Sequence, residues 1–493
     1  MVDQLAVGSP EWWLNRLYKK LLDRRDAIAT LESYYDGDHP MAFATEQFRS
    51  AFHGLFRHLS DNWCGLVVDA VEERLNVQGF RITDKIDLQD PPPPPDLLNP
   101  VGSADRDAWL IWQRNNMDAG SQMAHNAAFT TGLANALVWA DADGKAVITP
   151  EHPSQTIVEK VPGSPRRRAA ALKTWRDDWT GFIMATVYLP EGLFKFMSEK
   201  PVKTGGGTTR IKWVQRLVKD ESWPLENPLA VVPMVPLHNK ERLLDDCDSE
   251  IRTVIPIQNA VNKLVADMLV ASEFQAFRQR WATGLEVPVN PDTNQPIEPF
   301  KSAVDRLWVS EDSDTTFGEF AQADLRIFVA AIEMFVQHIA TQSRTPPHYF
   351  YLSGQFPSGE AIKSAETGLV AKSRRRMTHF SESWEEVMRL AFAVEDDPRK
   401  DAVLSETLWA DPESRSEGEH TDALTKLSTI GVPNEALWEK WGFSPQEIAR
   451  FRQMREAEKA LAPPPPPVVL SVMPGAPIPN GQPDQPAPAP IGG

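Results

Sequence analysis

Cysteine is nearly absent: Cys64 and Cys247 are the only two in 493 residues. A disulfide framework is thereby excluded as the main source of stability, and a reducing compartment fits. Neither cysteine belongs to a C-x-x-C pair, so thiolate metal binding is not expected. No apolar run approaches the roughly 18 residues that span a bilayer, and no membrane association is expected. Met1 to Pro10 lacks a basic stretch followed by an apolar one, so no signal peptide is expected either. Catalytic signatures are missing too. There is no G-x-x-x-x-G-K-[ST] loop, and Gly205-Gly206-Gly207 is followed by Thr208-Thr209 without the lysine that would reach phosphates. An NTP-driven motor is excluded on mechanism, because its chemistry needs that cradle. The ten histidines form no H-E-x-x-H set. His338 and His348 are near one another, but His338 reads as an ordinary helix residue. No G-x-S-x-G elbow occurs. Acidic pairs such as Asp245-Asp246 and Glu385-Glu386 read as solvated surface at this composition. The sequence therefore predicts no enzyme, no cofactor and no metal.

Basic charge is also in deficit. The net charge of −17 opposes tight binding of duplex DNA, which rests on Lys and Arg neutralising phosphates. A wall past which DNA slides has the opposite requirement and should not grip, although many soluble proteins are simply acidic.

What is present is a helical protein with a β-rich insertion. Ser9-Pro10-Glu11 reads as an N-cap, a proline at N1 and a first-turn acid. Leu14, Leu17, Leu21, Ile28, Leu31 and Tyr35 follow on one face, to about Asp36-Gly37. A helix is predicted over Asp61 to Leu75, a strand over Val77 to Ile82, and two helices between Asp105 and Gly132. Short strands are then predicted at Leu133–Ala140, Ala146–Thr149, Thr156–Val161, Ala169–Trp175, Phe182–Leu189, Leu193–Met197 and Arg210–Val218, as one antiparallel unit.

From Ile251 the helical period returns. Ile257, Val261, Leu264, Met268 and Ala271 make a narrow seam, with Asn259, Asn262, Lys263, Asp267 and Glu273 on the opposite face. Pro256 to Arg280 would give roughly 38 Å of helix at 1.5 Å per residue. Leu325, Phe328, Ile332, Phe335 and Ile339 make a second seam. The intervening Gly284 to Glu319 holds four prolines and ends in an acidic stretch with Glu311, Asp312, Asp314 and Glu319. A loop opened by Pro346-Pro347 leads to a long helix from about Ser358 to Val394, with a kink expected at Gly368. Ser444-Pro445-Gln446-Glu447 is a capping box. Residues 462–493 hold 12 prolines and one charge, Asp484, and are expected to be disordered.

Two basic clusters break the acidic background: Arg166-Arg167-Arg168, and Lys372, Arg374, Arg375 and Arg376. Either could be a solvated face, a phosphate contact or ion pairs within or between chains, with pairing favoured. Sixteen tryptophans are many, and aromatics concentrate in cores and oligomer interfaces.

Several stretches resemble the portal proteins of actinobacterial tailed phages. They are Trp12-Trp13-Leu14 to Tyr34-Tyr35-Asp36-Gly37, Asn62-Trp63 to Glu73-Arg74-Leu75, and Gly79-Phe80. Further on come Ser249-Glu250-Ile251 to Asn262-Lys263, Gln279-Arg280-Trp281, Thr345-Pro346-Pro347-His348-Tyr349, Pro357-Ser358-Gly359-Glu360-Ala361, and Asp422-Ala423 to Gly431-Val432-Pro433. Each is weak alone; their order and spacing are more specific.

The resemblance implies a mainly helical α+β portal-type fold with long antiparallel stem helices, a β-rich wing insertion and a small clip. Residues 1–250 would be wing (β-rich about 133–240), 251–283 and 320–343 the stem helices, and 284–319 the clip. Residues 344–358 would be a tunnel loop, 359–395 a long wing helix and 396–461 a crown. It implies a homo-oligomeric ring of about twelve subunits at a capsid vertex, assembled in the host cytoplasm and contacting the major capsid protein. Double-stranded DNA would pass through without sequence reading. Arg344, His348, Tyr349, Tyr351 and Gln355 would project toward it, and the acidic clip would dock the terminase motor and head-tail adaptors. The alternative is a self-assembling capsid scaffold or adaptor that never meets DNA; a ring with a DNA-wide hole would separate the two.

Overall fold

The computed structural model describes residues 5–38, 61–83, 105–202, 211–243, 247–276, 280–284, 290–291, 314–319, 324–350, 358–413 and 417–461. The proline-rich tail, the start of the acidic stretch and the second half of the expected tunnel loop lie outside these residues. Residues to Ile448 form one compact unit, and the chain from Ala449 another, whose described part is the remainder of the last helix.

Helix α1, Pro10–Asp36, starts where predicted: the Ser9 hydroxyl accepts from the Trp12 amide at 3.2 Å, and Gly37 ends it at φ 75°. Its apolar face splits between two cores. Leu14, Leu17 and Leu21 pack on Ile157, Leu172, Val187, Phe194 and Phe196 of the β-rich unit. Each such leucine, fully buried, contributes about 1.5–3 kcal/mol. Leu31 and Tyr34 join the main core instead. Tyr34 takes the buried position expected of Tyr35, while the Tyr35 hydroxyl bonds Asp69 and Asn126.

Helix α2 (Trp63–Glu72), strand β1 (Val77–Thr83) and helices α3 (Arg106–Arg114) and α4 (Met117–Thr131) follow as the sequence predicts. The β-rich region then departs from one unit. Strands β2 (Leu133–Ala140), β3 (Ala146–Glu151) and β10 (Met234–His238) make a three-stranded antiparallel sheet in the order β10-β2-β3. A separate antiparallel sheet runs β4 (Thr156–Val161), β5 (Ser164–Arg176), β6 (Ile183–Leu189), β7 (Gly192–Ser198) and β8 (Trp213–Gln215), with β9 (Leu225–Glu226) also on β7. Of the predicted strand over 210–218, the described part forms three residues, Trp213–Gln215.

Helix α5 spans Ile255–Ala276 and α6 spans Arg326–Ser343, and they pack on each other. Neither fills its predicted range. Residues 280–283 were expected to be helical but form strand β11 (Arg280–Thr283), antiparallel to β12 (Thr316–Glu319), so a two-stranded ribbon ties the far ends of the helices. Gly318, opposite Trp281, leaves room for its ring: a Cβ there would lie 2.3 Å from it. Leu325, counted in the second seam, is the N-cap of α6.

Helix α7, Gly359–Val394, runs through Gly368 without a break. Its Phe380, Trp384 and Phe392 are central to the main core with Phe80, Trp112 and Phe129. Strand β13 (Leu404–Trp409) returns to pair with β1, closing the unit across more than 300 residues. Helices α8 (Glu417–Thr429), α9 (Asn434–Trp441) and α10 (Pro445–Leu461) end the described chain, α10 starting at the predicted capping box, in which the Glu447 amide donates to Ser444 Oγ.

Candidate interface at the root of the helical hairpin

The α5–α6 hairpin begins and ends at one place, beside α7, and the chemistry there is ionic. Glu250, one turn before α5, is 3% exposed. It receives Lys372 Nζ at 3.0 Å, Arg376 Nη2 at 2.8 Å and Lys240 Nζ at 3.2 Å. Burial alone would raise its carboxyl, but these three cations outweigh that and hold it at about 2. Lys372 Nζ also donates to the Ser343 carbonyl at 3.0 Å, the last residue of α6. An ammonium there offsets the partial negative charge of the helix C-terminus. One α7 lysine thus stitches both roots of the hairpin to the main core.

Lys372 and Arg376 were candidates for intersubunit or phosphate contacts. Of the readings open for this cluster, pairing within the chain is the one seen: both are buried and satisfied, because α7 packs into the core on that face. Arg374 is exposed and pairs with Asp411 and Glu413. Arg375 is exposed and, like Arg344, makes no ion pair among the described residues. In the other basic cluster, Arg168 bonds Glu386 at 2.9 Å and the Val232 carbonyl at 3.0 Å.

The first half of the expected tunnel loop packs in part on the main core. Arg344 caps α6 at φ 57° with its side chain exposed, but Thr345 and Phe350 are buried, Phe350 against Trp63 at 5.5 Å. Between them a short turn, Pro347–Tyr349, holds His348 and Tyr349 half-buried. Arg74 Nη2 donates to the Tyr349 hydroxyl at 3.0 Å and to Glu366 at 3.1 Å, and His348 Nε2 lies 3.6 Å from Glu366. His348 and Tyr349 therefore serve this nearly buried ion pair, which fastens α2 to α7. Tyr351 and Gln355 lie outside the described residues, as do Glu311 and Asp312; Asp314 and Glu319 are exposed beside the ribbon.

Of the seam residues, Val261 and Ile339 are buried, Ile257, Ile332 and Phe335 pack half-buried against the main core, and Leu264, Met268, Leu325 and Phe328 are half-buried. The face opposite the first seam is polar, and part of it is buried. Gln258, Asn259 and Asn262 are buried. Gln258 accepts from the Trp63 amide at 2.9 Å, Asn262 from the Asp61 amide at 3.1 Å, and Asn259 from the Tyr34 hydroxyl at 2.7 Å. The Gln258 side chain thereby satisfies one of the otherwise unpaired N–H groups that open α2, and Asn262 holds the residue just before its cap. The sequence held a signal: the three are uncharged, whereas the solvated partners Lys263 and Asp267 form an ordinary i,i+4 ion pair.

A cleft of about 780 Å³ opens over this root. Its wall carries Lys240, Arg242, Arg252, Arg344, Arg375 and the buried pair on Glu250, against the acids Glu241, Asp248 and Glu250. No group of acids, histidines and cysteines among the described residues could hold a metal ion. No described helix is long and apolar enough to cross a membrane.

The chain is similar to known proteins along nearly its whole length. The portal protein of Mycobacterium phage D29 is 26% identical over 482 residues, covering 93% of this chain and 91% of that one. The portal protein of Mycobacterium phage L5 is 26% identical over 465 residues, covering 89% and 87%. Among solved structures, a chain from the neck of a native GTA particle, computed with C12 symmetry, aligns over 66% of this chain and 80% of its own, at 10% identity. Its TM-score of 0.39 is too low to bear on ring number. The sequence model of phage portal proteins of the SPP1 Gp6-like kind matches residues 14–460, and so the chain belongs to that family, whose members are structural head-tail connector components of the bacteriophage virion.

Proposed function

We propose that this chain forms an oligomeric ring at a capsid vertex, the conduit through which DNA is packaged and ejected. The family match over residues 14–460 carries the reading. The hairpin would be the stem and the excursion beyond its ribbon the clip, docking the terminase motor and then the head-tail adaptors, with Glu311, Asp312, Asp314 and Glu319 as a charged surface. Residues to 250 would be wing, α7 the long helix behind the channel and 396–461 the crown. Ile327, Val329 and Met334 leave α6 with exposed apolar side chains, which suits side-by-side packing of stems from neighbouring copies.

DNA would pass through without base reading, touched by the loop that Arg344 roots. With His348 and Tyr349 engaged elsewhere, the contact falls to Tyr351 and Gln355. Deleting Tyr351 to Ser353 tests this. Rings should form as in the wild type while packaging or retention of DNA fails; normal packaging would remove the loop from the mechanism. Failure to form rings would make the loop structural. A scaffold that never meets DNA predicts no packaging defect.

A further inference from the structure

The cleft at the hairpin root holds more positive charge than its own acids can use. Glu241 is taken by His238 at 3.1 Å and Lys160 at 3.0 Å. Asp248 is taken by Arg252 at 2.6 Å. Glu250 is taken by three cations, two of them buried. Among the described residues no carboxylate of the wall remains, yet Arg344 from the end of α6 and Arg375 from α7 both face it, exposed and without an ion pair among those residues. Guanidinium pairs on a rigid wall suit bidentate capture of an oxyanion. Outside this cleft the chain is strongly acidic, with 68 acids against 51 cations overall.

We infer that the cleft receives an acidic segment of a neighbouring copy of this chain, with Arg344 and Arg375 as its unpaired receptors. This rests on the ring reading. A cyclic ring joins two different faces of each subunit, so a cationic pocket on one face calls for an acidic projection from the other. Duplex DNA is the poorer occupant. A rod of dense negative charge would meet the field of a chain of net charge −17, with only two unpaired arginines on the wall to offset it. A few carboxylates on a projecting segment avoid that field and can enter the cleft. The placement also carries a consequence: the contact would touch the residues that hold the hairpin root, so that assembly and hairpin orientation become linked.

The test titrates assembly of the full chain by mass photometry and sedimentation velocity. The double variant R344E/R375E should raise the concentration for half-assembly by about tenfold or more, and the neutral R344Q/R375Q by less, both with unchanged circular dichroism. A photo-cross-linking residue at Ala371, exposed on the cleft wall, should join two copies through a peptide rich in Asp and Glu. Reversing those acids should restore assembly of R344E/R375E. Wild-type assembly by the neutral variant, or cross-links confined to one chain or to DNA, would overturn the inference. A wild-type chain that stays monomeric at every concentration would remove the ring reading, and this inference with it.

Discussion

Replacing Glu250 with Gln leaves three cations around an uncharged amide, two of them, Lys372 and Arg376, with side chains less than a tenth exposed. Removing one partner of a buried ion pair costs about 3–5 kcal/mol, because the other charge stays buried without compensation. The titration of Glu250 gives a second route to the magnitude. Holding its carboxyl at about 2 instead of 4.5 corresponds to about 3 kcal/mol, at about 1.4 kcal/mol per pH unit. The two agree. Since the folded value is depressed, this stabilisation is complete above 4.5 and disappears as pH falls from 4.5 toward 2. Urea unfolding followed by tryptophan emission should therefore show Glu250→Gln destabilised by about 3 kcal/mol at pH 7, with the gap closing as pH falls through that window. The pair E250Q/K372M, which removes a charge of each sign, should recover part of the loss. A cost below about 1 kcal/mol at pH 7, or a gap independent of pH, would refute the ionic clamp.

Glu385 shows the reverse sign: burial, with Glu382 and Glu406 nearby, pushes its carboxyl up to about 7. Its destabilising effect is absent below 4.5 and grows as pH rises toward 7, so Glu385→Gln should stabilise the chain by about 1 kcal/mol at pH 8, after discounting for partial exposure, and by nothing at pH 4. Gly318→Ala should open the ribbon by forcing Trp281 aside, read as faster hydrogen exchange over 280–283 and 316–319, and Trp281→Ala should relieve it. Trp384→Phe removes the 2.9 Å bond to His125 Nε2 and leaves a void beside Trp112, costing about 2–4 kcal/mol in a thermal or urea titration.

Elements with a strong local signal were legible in the sequence. Helix α1 carries its cap, its proline and its leucine stripe in one stretch, and β1 to β7 carry alternation and turns. Failures came where a distant partner decides. Nothing near residue 280 says strand until Thr316–Glu319 supplies the other edge and Gly318 makes room for Trp281. Nothing near Gln258, Asn259 and Asn262 says that they are buried, because the groups that donate to them, on Trp63, Tyr34 and Asp61, lie about 200 residues away. For the same reason pairing of Lys372 and Arg376 is favoured without a partner to name, until Glu250, 122 and 126 residues earlier, is placed beside them. His348 and Tyr349 looked like loop-tip groups, but Arg74 and Glu366 claim them.

The whole account is tested most directly by electron microscopy of the purified full-length chain. Closed annuli are predicted, with a central hole wide enough for duplex DNA and paired helices from each copy standing side by side around it. Single particles of one chain, or open filaments that never close, would contradict it.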